Sequence, residues 1–113
     1  MPDWNIGYYE TSTGRCPVFD FIEKLSLEIQ GKIRNAFRLL EEFGPQIGLP
    51  HLKSIKGYKP LYEIRILGSA SVRLICVLQK RKFIILHAFR KKTQRIPRKE
   101  LKTSLKRLRT ITP

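Results

Sequence analysis

The chain is predicted to fold as a small α+β domain: an antiparallel sheet with an N-terminal helical hairpin and a basic C-terminal helix. Three observations predict it. One stretch early in the chain and one at its C-terminus repeat their apolar residues at helical spacing. Between them lie three short strand-like segments separated by tight loops. The length of 113 residues, with 42% hydrophobic content, suits one core-bearing unit and is too short for two, so residues 1–113 read as a single domain.

The start, "DWNIGYYE", alternates Trp4, Ile6 and Tyr8 against Asn5, Gly7 and Tyr9, the two-residue period of a strand. "TSTGRCP" is turn chemistry, and Pro17, with its fixed φ, opens a short helix through "VFDFIEKL". After Ser26, the residues Ile29, Ile33, Phe37 and Leu40 recur at helical spacing until Gly44-Pro45 stops the run. Residues 45–60, "PQIGLPHLKSIKGYKP", read as an ordered connection with room for one short helical turn. Strands follow at 61–67 ("LYEIRIL"), 71–78 ("SVRLICVL") and 82–89 ("KFIILHAF"). The loops "GSA" and "QKR" are short enough for antiparallel hairpins. In "PRKELKTSLKRLRTI" the residues Leu101, Leu105, Leu108 and Ile111 share one face of a basic amphipathic helix. The predicted order is β-α-α-β-β-β-α, with the helices covering one face of the sheet.

Charge is the strongest global signal, at a formal +14. The first part of the chain is near balance. From Lys80 onward, lysines and arginines crowd together and Glu100 is the only acidic residue against them. Such asymmetry points to nucleic acid, an acidic protein partner, or both. No apolar run approaches the ~20 residues of a membrane span, and "MPDWNIGYYE" lacks the basic and apolar regions of a signal peptide. Cys16 and Cys76 have no metal-like spacing and read as reduced structural thiols, which suits a cytoplasmic protein. No metal-ligand grouping, triad context or phosphate-loop glycine pattern is present, so any chemistry is expected to be metal-free, without cofactor, and run by basic residues.

The arginines inside the strands are the first candidate site residues. A three-residue "GSA" loop pairs Leu67 with Ser71 and puts Arg65 directly opposite Arg73, on one face. A two-residue loop sends them to opposite faces. Opposed like charges cost roughly 0.2–1 kcal/mol, an arrangement worth having if a carboxylate or phosphate fills the gap. The alternative is one arginine paired with Glu63 and the other solvated. His87 carries the same ambiguity. It joins the Arg73 face if Gln79 lies opposite Phe83, and the other face after a slip of one residue.

These blocks resemble the RelE/HigB toxin superfamily, in its phage-derived, HigB-like branch. "LYEIRI", "VRLICVL" and "ILHAFRKKTQRIPRKEL" follow the order of that branch's "LWELR", "YR" and "LLHGFxKKTxKTP". Upstream, "GRCPVFDFIEKL" and "EEFGPQIGLPHLKSI" resemble its "GRSPVxEFLxxL" and "xxGPxxGxPHxKxL". The resemblance implies a RelE-like fold and the toxin of a type II toxin–antitoxin module. It also implies an mRNA endoribonuclease (an mRNA interferase) acting on translating ribosomes. Its partners would be mRNA, the ribosome and a HigA-like helix-turn-helix antitoxin with an acidic toxin-binding segment. Arg65 stands at the arginine of the "ELR" block and Arg73 at that of the "YR" block. His87, Phe89, Lys91 and Lys92 stand in the "HGFxKKT" block. Val72 and Ala88 depart from the branch's tyrosine and glycine, and the late catalytic tyrosine of many RelE relatives is absent.

The expected catalytic set is therefore Arg65, Arg73, His87, Lys91 and Lys92. The arginines would clamp the non-bridging oxygens of a phosphodiester attacked by its own 2′-OH. Lys91 and Lys92 would stabilise charge or move a proton, and His87 is the alternative base or acid. Phe89 would stack on an RNA base, and Arg90, Arg95, Arg98 and Lys99 would contact its phosphates. Two other functions remain open from sequence: a ParE-like poison of DNA gyrase, and a non-enzymatic RNA-binding module.

Overall fold

A computed structural model describes residues 3–68, 71–92 and 95–111. Strand β1 (Asn5–Tyr8) leads through a turn to the helices α1 (Pro17–Glu23) and α2 (Leu27–Phe43). Pro17 sits in the first turn of α1, where its missing N–H costs nothing. Ser26 caps α2, its Oγ accepting the Ile29 amide at 3.2 Å. Gly44 ends that helix in the left-handed region, at φ 67°, and a Cβ there would collide with the Trp4 indole. A 3-10 turn (Gly44–Ile47) follows, then β2 (Leu52–Ser54), β3 (Tyr62–Arg65), β4 (Val72–Gln79), β5 (Lys82–Arg90) and α3 (Arg98–Ile111).

The α+β class, the helical hairpin and the basic C-terminal helix are as expected; the sheet is richer. Its five strands run in the order β1-β5-β4-β3-β2. Strands β2 to β5 pair antiparallel, but β1 lies parallel to β5 at one edge, so the sheet is mixed. The chain leaves β1 through two helices before its next strand, which removes any hairpin constraint on β1. The extra strand, β2, lies inside the stretch read as a connection. Leu52 is buried there while Lys53 and Ser54 are exposed, as suits a short edge strand.

The helices do not share a face, contrary to expectation. The pair α1 and α2 covers the side bearing Ile64, Val72, Leu74, Cys76, Phe83 and Ile85. On the other side, α3 packs Leu101, Leu105, Leu108 and Ile111 against Leu61, Ile75, Val77, Leu86 and Phe89. The cause is β4, which is apolar both ways: Val72, Leu74 and Cys76 point to one core, Ile75 and Val77 to the other. Each buried Leu or Ile is worth roughly 1.5–3 kcal/mol, so a sheet with two apolar faces needs cover on both.

Two features of register decide where the polar residues go. Arg65 pairs with Arg73 across β3 and β4, the consequence expected of a three-residue loop; residues 69 and 70 of that loop lie outside the described residues. Between β4 and β5 the turn holds two residues, Lys80 and Arg81, both left-handed at φ 45° and 63°, and Gln79 pairs with Lys82. That register, continued, would place His87 opposite Leu74 in the first core. A bulge intervenes: Cys76 pairs with Ile85 and Ile75 with His87, leaving Leu86 as the extra residue. His87 thereby returns to the Arg73 side.

Candidate active site

The side of the sheet that α3 only partly covers carries the polar residues in two ranks. Lys53, Glu63, Ile75 and His87 lie abreast on β2, β3, β4 and β5. Beside them stand Arg65, Arg73 and Phe89. One step further, the Lys91 amide donates to Ser71 O, which prolongs the ladder beyond β5 and brings Lys91 to the same cluster.

At the centre is the Glu63 carboxylate, 4% exposed. Its Oε2 lies 3.0 Å from Arg73 Nε and 3.7 Å from Lys91 Nζ, and its Oε1 lies 3.6 Å from Arg65 Nε. Both sequence alternatives are thus partly realised: the arginines face each other, and Glu63 approaches both. Burying a charge is costly unless opposite charge surrounds it; here three cations do so, and the cluster keeps an excess of positive charge. The contacts are ionic more than directional, because the enclosed Oε2 receives no aligned hydrogen bond among the described residues. Arg73 is anchored further by donating from Nη1 to Val72 O at 3.0 Å.

The cluster opens into a cleft of about 160 Å³ lined by Lys53, Ser54, Ile55, Lys56, Glu63, Arg65, Lys91 and Ile96. Arg65, with 34% of its side chain exposed, forms part of the wall. Lys53 and Lys56 were missed from sequence, because their segment reads as a loop with no visible relation to β3. Their signal is the pairing of Lys53 with Glu63, which only β2 creates.

His87 is held apart from this cluster. Ile75 stands between it and Glu63, two strand spacings or roughly 10 Å across the sheet. Both ring nitrogens are engaged. Arg107 donates from Nη1 to Leu86 O at 2.8 Å and to His87 Nδ1 at 3.3 Å. Arginine has no acceptor, so the His87 proton sits on Nε2 and is donated to Glu100 Oε1 at 2.8 Å. Burial lowers the His87 pKa, the hydrogen bond it donates to Glu100 opposes this, and Arg107 lowers it further. The arrangement is a neutral imidazole pinning α3 to β5. Glu100 and Arg107 were not singled out from sequence, since nothing local links them to a strand residue.

The remaining expected residues divide. Phe89 is 4% exposed and stacks on His87 with ring centroids 5.4 Å apart, so it offers no open face to a base. Arg90 is exposed, pairs with Val72 on the far side of the sheet, and donates to Ser71 Oγ at 3.2 Å. Lys92, Arg95, Arg98 and Lys99 are exposed where the chain passes from β5 to α3. Among the described residues no three His, Cys, Asp or Glu side chains are grouped to hold a metal, and no helix is long and apolar enough to cross a membrane. Cys76 is a free thiol in the first core, where burial pushes its pKa up.

A family model described as phage derived protein Gp49-like (DUF891) matches residues 20–109. The chain belongs to that family. Gp49-like proteins are RelE/HigB-type toxins of toxin–antitoxin systems, and membership implies an antitoxin partner. The matched span contains Glu63, Arg65, Arg73, Lys91 and the whole cleft. At a coarse level it points to nuclease-type activity. No curated protein matches the chain.

Proposed function

We propose that the chain is a metal-independent endoribonuclease that cuts mRNA on translating ribosomes and thereby stops translation in the cytoplasm. The observation that carries this reading is the pair Arg65 and Arg73, opposed across β3 and β4 and closed by Lys91 beside an open basic cleft. A phosphodiester anion matches the excess positive charge, and forked guanidinium groups match its non-bridging oxygens.

The 2′-oxygen attacks the adjacent phosphorus while the 5′-oxygen leaves, giving a 2′,3′-cyclic phosphate and a 5′-hydroxyl. Arg65 and Arg73 neutralise the charge that grows on the phosphorane, the largest single contribution expected of such a site. Lys91 stabilises the same charge and donates a proton to the leaving oxygen. Lys92, Arg95, Arg98 and Lys99 hold flanking phosphates of mRNA or ribosomal RNA, joined by Lys53 and Lys56 in the cleft lining. Arg90 contacts RNA from the far face of the sheet, at the end of β5. His87 acts on the reaction by pinning α3 to β5, the strand that leads into Lys91, and Phe89 acts as packing beside Arg73. An antitoxin of the HigA-like, helix-turn-helix kind would neutralise the toxin by placing an acidic segment in this cleft.

The test is to add the protein to translating ribosomes and map mRNA ends. Cut sites that vanish with Arg73→Ala support the ribonuclease. Intact mRNA together with DNA damage would replace it with a gyrase poison, and intact mRNA with salt-sensitive RNA binding would leave a binding module.

A further inference from the structure

RNA cleavage by 2′-OH attack needs a group that takes a proton, and the cleft holds very few. Lys53, Lys56, Arg65 and Lys91 are cations in their ordinary state and have no lone pair to offer. Ser54 is a weak base. His87 has both nitrogens occupied and stands beyond Ile75. Glu63 is the one carboxylate in the lining, and its Oε2 is enclosed without an aligned hydrogen bond among the described residues.

We infer that Glu63 is the general base of the cleavage reaction proposed above, accepting the 2′-hydroxyl proton of the nucleotide held by Arg65, Arg73 and Lys91. The inference rests on that reaction being the chain's activity. In the free protein Glu63 has its cations to itself. A bound phosphodiester competes for the same cations and loosens their hold on the carboxylate. Arg65, the most exposed of the three, turns outward to the phosphate and uncovers Oε1. The base is thus muted until substrate arrives.

The step balances. The 2′-O–H proton passes to Glu63 as the 2′-O–P bond forms. The P–O5′ bond breaks with its electron pair on O5′, which takes a proton from the Lys91 ammonium. Glu63, now protonated, and Lys91, now neutral, stand 3.7 Å apart in the free protein. Return of the proton from one to the other restores the starting state without an outside reagent.

The experiment compares Glu63→Gln, Glu63→Asp and the unaltered protein in single-turnover cleavage of mRNA on ribosomes. In parallel it measures binding of a 2′-O-methyl strand, which has no nucleophile. Glu63→Gln is expected to cut at least ~100-fold more slowly, the usual contribution of a general base. It should bind the 2′-O-methyl strand as tightly or more tightly, because one negative charge is gone. Glu63→Asp should retain part of the rate. Glu63→Asp decides the matter if Glu63→Gln does not fold, because it keeps a carboxylate beside the same cations, and a folded Glu63→Asp with no cleavage overturns the role. A folded Glu63→Gln that cuts within threefold of the original also overturns it, as does one that loses binding and cleavage together, the mark of a carboxylate that only holds the cations in place. If the unaltered protein cuts no RNA while binding it, the reaction itself is wrong and the role of Glu63 falls with it.

Discussion

Arg65 and Arg73 face each other across β3 and β4, and the same buried carboxylate, Glu63, lies 3.6 Å from one and 3.0 Å from the other. Opposed like charges on a ladder are destabilising, and a buried ion pair returns little net stability once desolvation is counted. A fold seeking stability alone would place apolar side chains here. Three cations gathered round one carboxylate leave an excess of positive charge, which suits the phosphate site proposed above.

Arg73→Ala removes the better buried of the two guanidinium groups. It is expected to lower mRNA cleavage by roughly 10²–10³-fold, the cost of removing one preorganised charge donor. Mapping of mRNA ends on translating ribosomes checks this, with a thermal melt to confirm folding. Cleavage unchanged in a folded variant would remove Arg73 from the site.

Lys53 and Lys56 line the cleft beside Glu63 and Arg65. If each contacts one phosphate of a single strand, the double variant Lys53→Ala/Lys56→Ala should flatten the plot of log affinity against log salt by about 1.4, at ~0.7 per contact. Titrations of an RNA strand at several salt concentrations measure the slope. An unaltered slope would mean that the RNA does not run past β2.

Protonating His87 should weaken the fold. Burial keeps its folded pKa below the unfolded value of about 6.5. Between those two values the unfolded chain holds more protons than the folded one, so stability is complete above ~6.5 and falls as pH drops through the window. Urea midpoints measured from pH ~7.5 down to ~5.5 should decline more steeply for the unaltered protein than for His87→Gln. Equal slopes would show that the imidazole does not report on α3 docking.

Gly44→Ala should be among the more damaging small substitutions outside the site. Alanine at φ 67° carries a backbone cost of roughly 1–2 kcal/mol. Its methyl group would also force the Trp4 indole out of place, at a further ~1–3 kcal/mol. Urea unfolding should show a loss of about 2–4 kcal/mol, and a loss below ~1 kcal/mol would mean that Trp4 moves aside freely.

Much of the fold was legible in the chain because it is local. The Ser26 cap, the helical spacing from Ile29 to Leu40 and the alternation in "LYEIRIL" each lie within a few residues, and they became α2 and β3. The opposition of Arg65 and Arg73 was legible conditionally, through one loop length. The strand β2 was not, since three residues gain their pairing only from β3.

The residues themselves determined the type of every element but β2 and the 3-10 turn, the two-sided apolar pattern of β4 and the massing of positive charge after Lys80. Tertiary structure alone decided that α3 takes the opposite face from α1 and α2, that Lys53 meets Glu63, and that a single extra residue, Leu86, turns His87 toward the Arg73 side. The physical reason is one of range. Helix and strand periods are set by neighbouring residues, whereas face and register depend on how separate strands align, and one residue of slip reverses every side chain that follows.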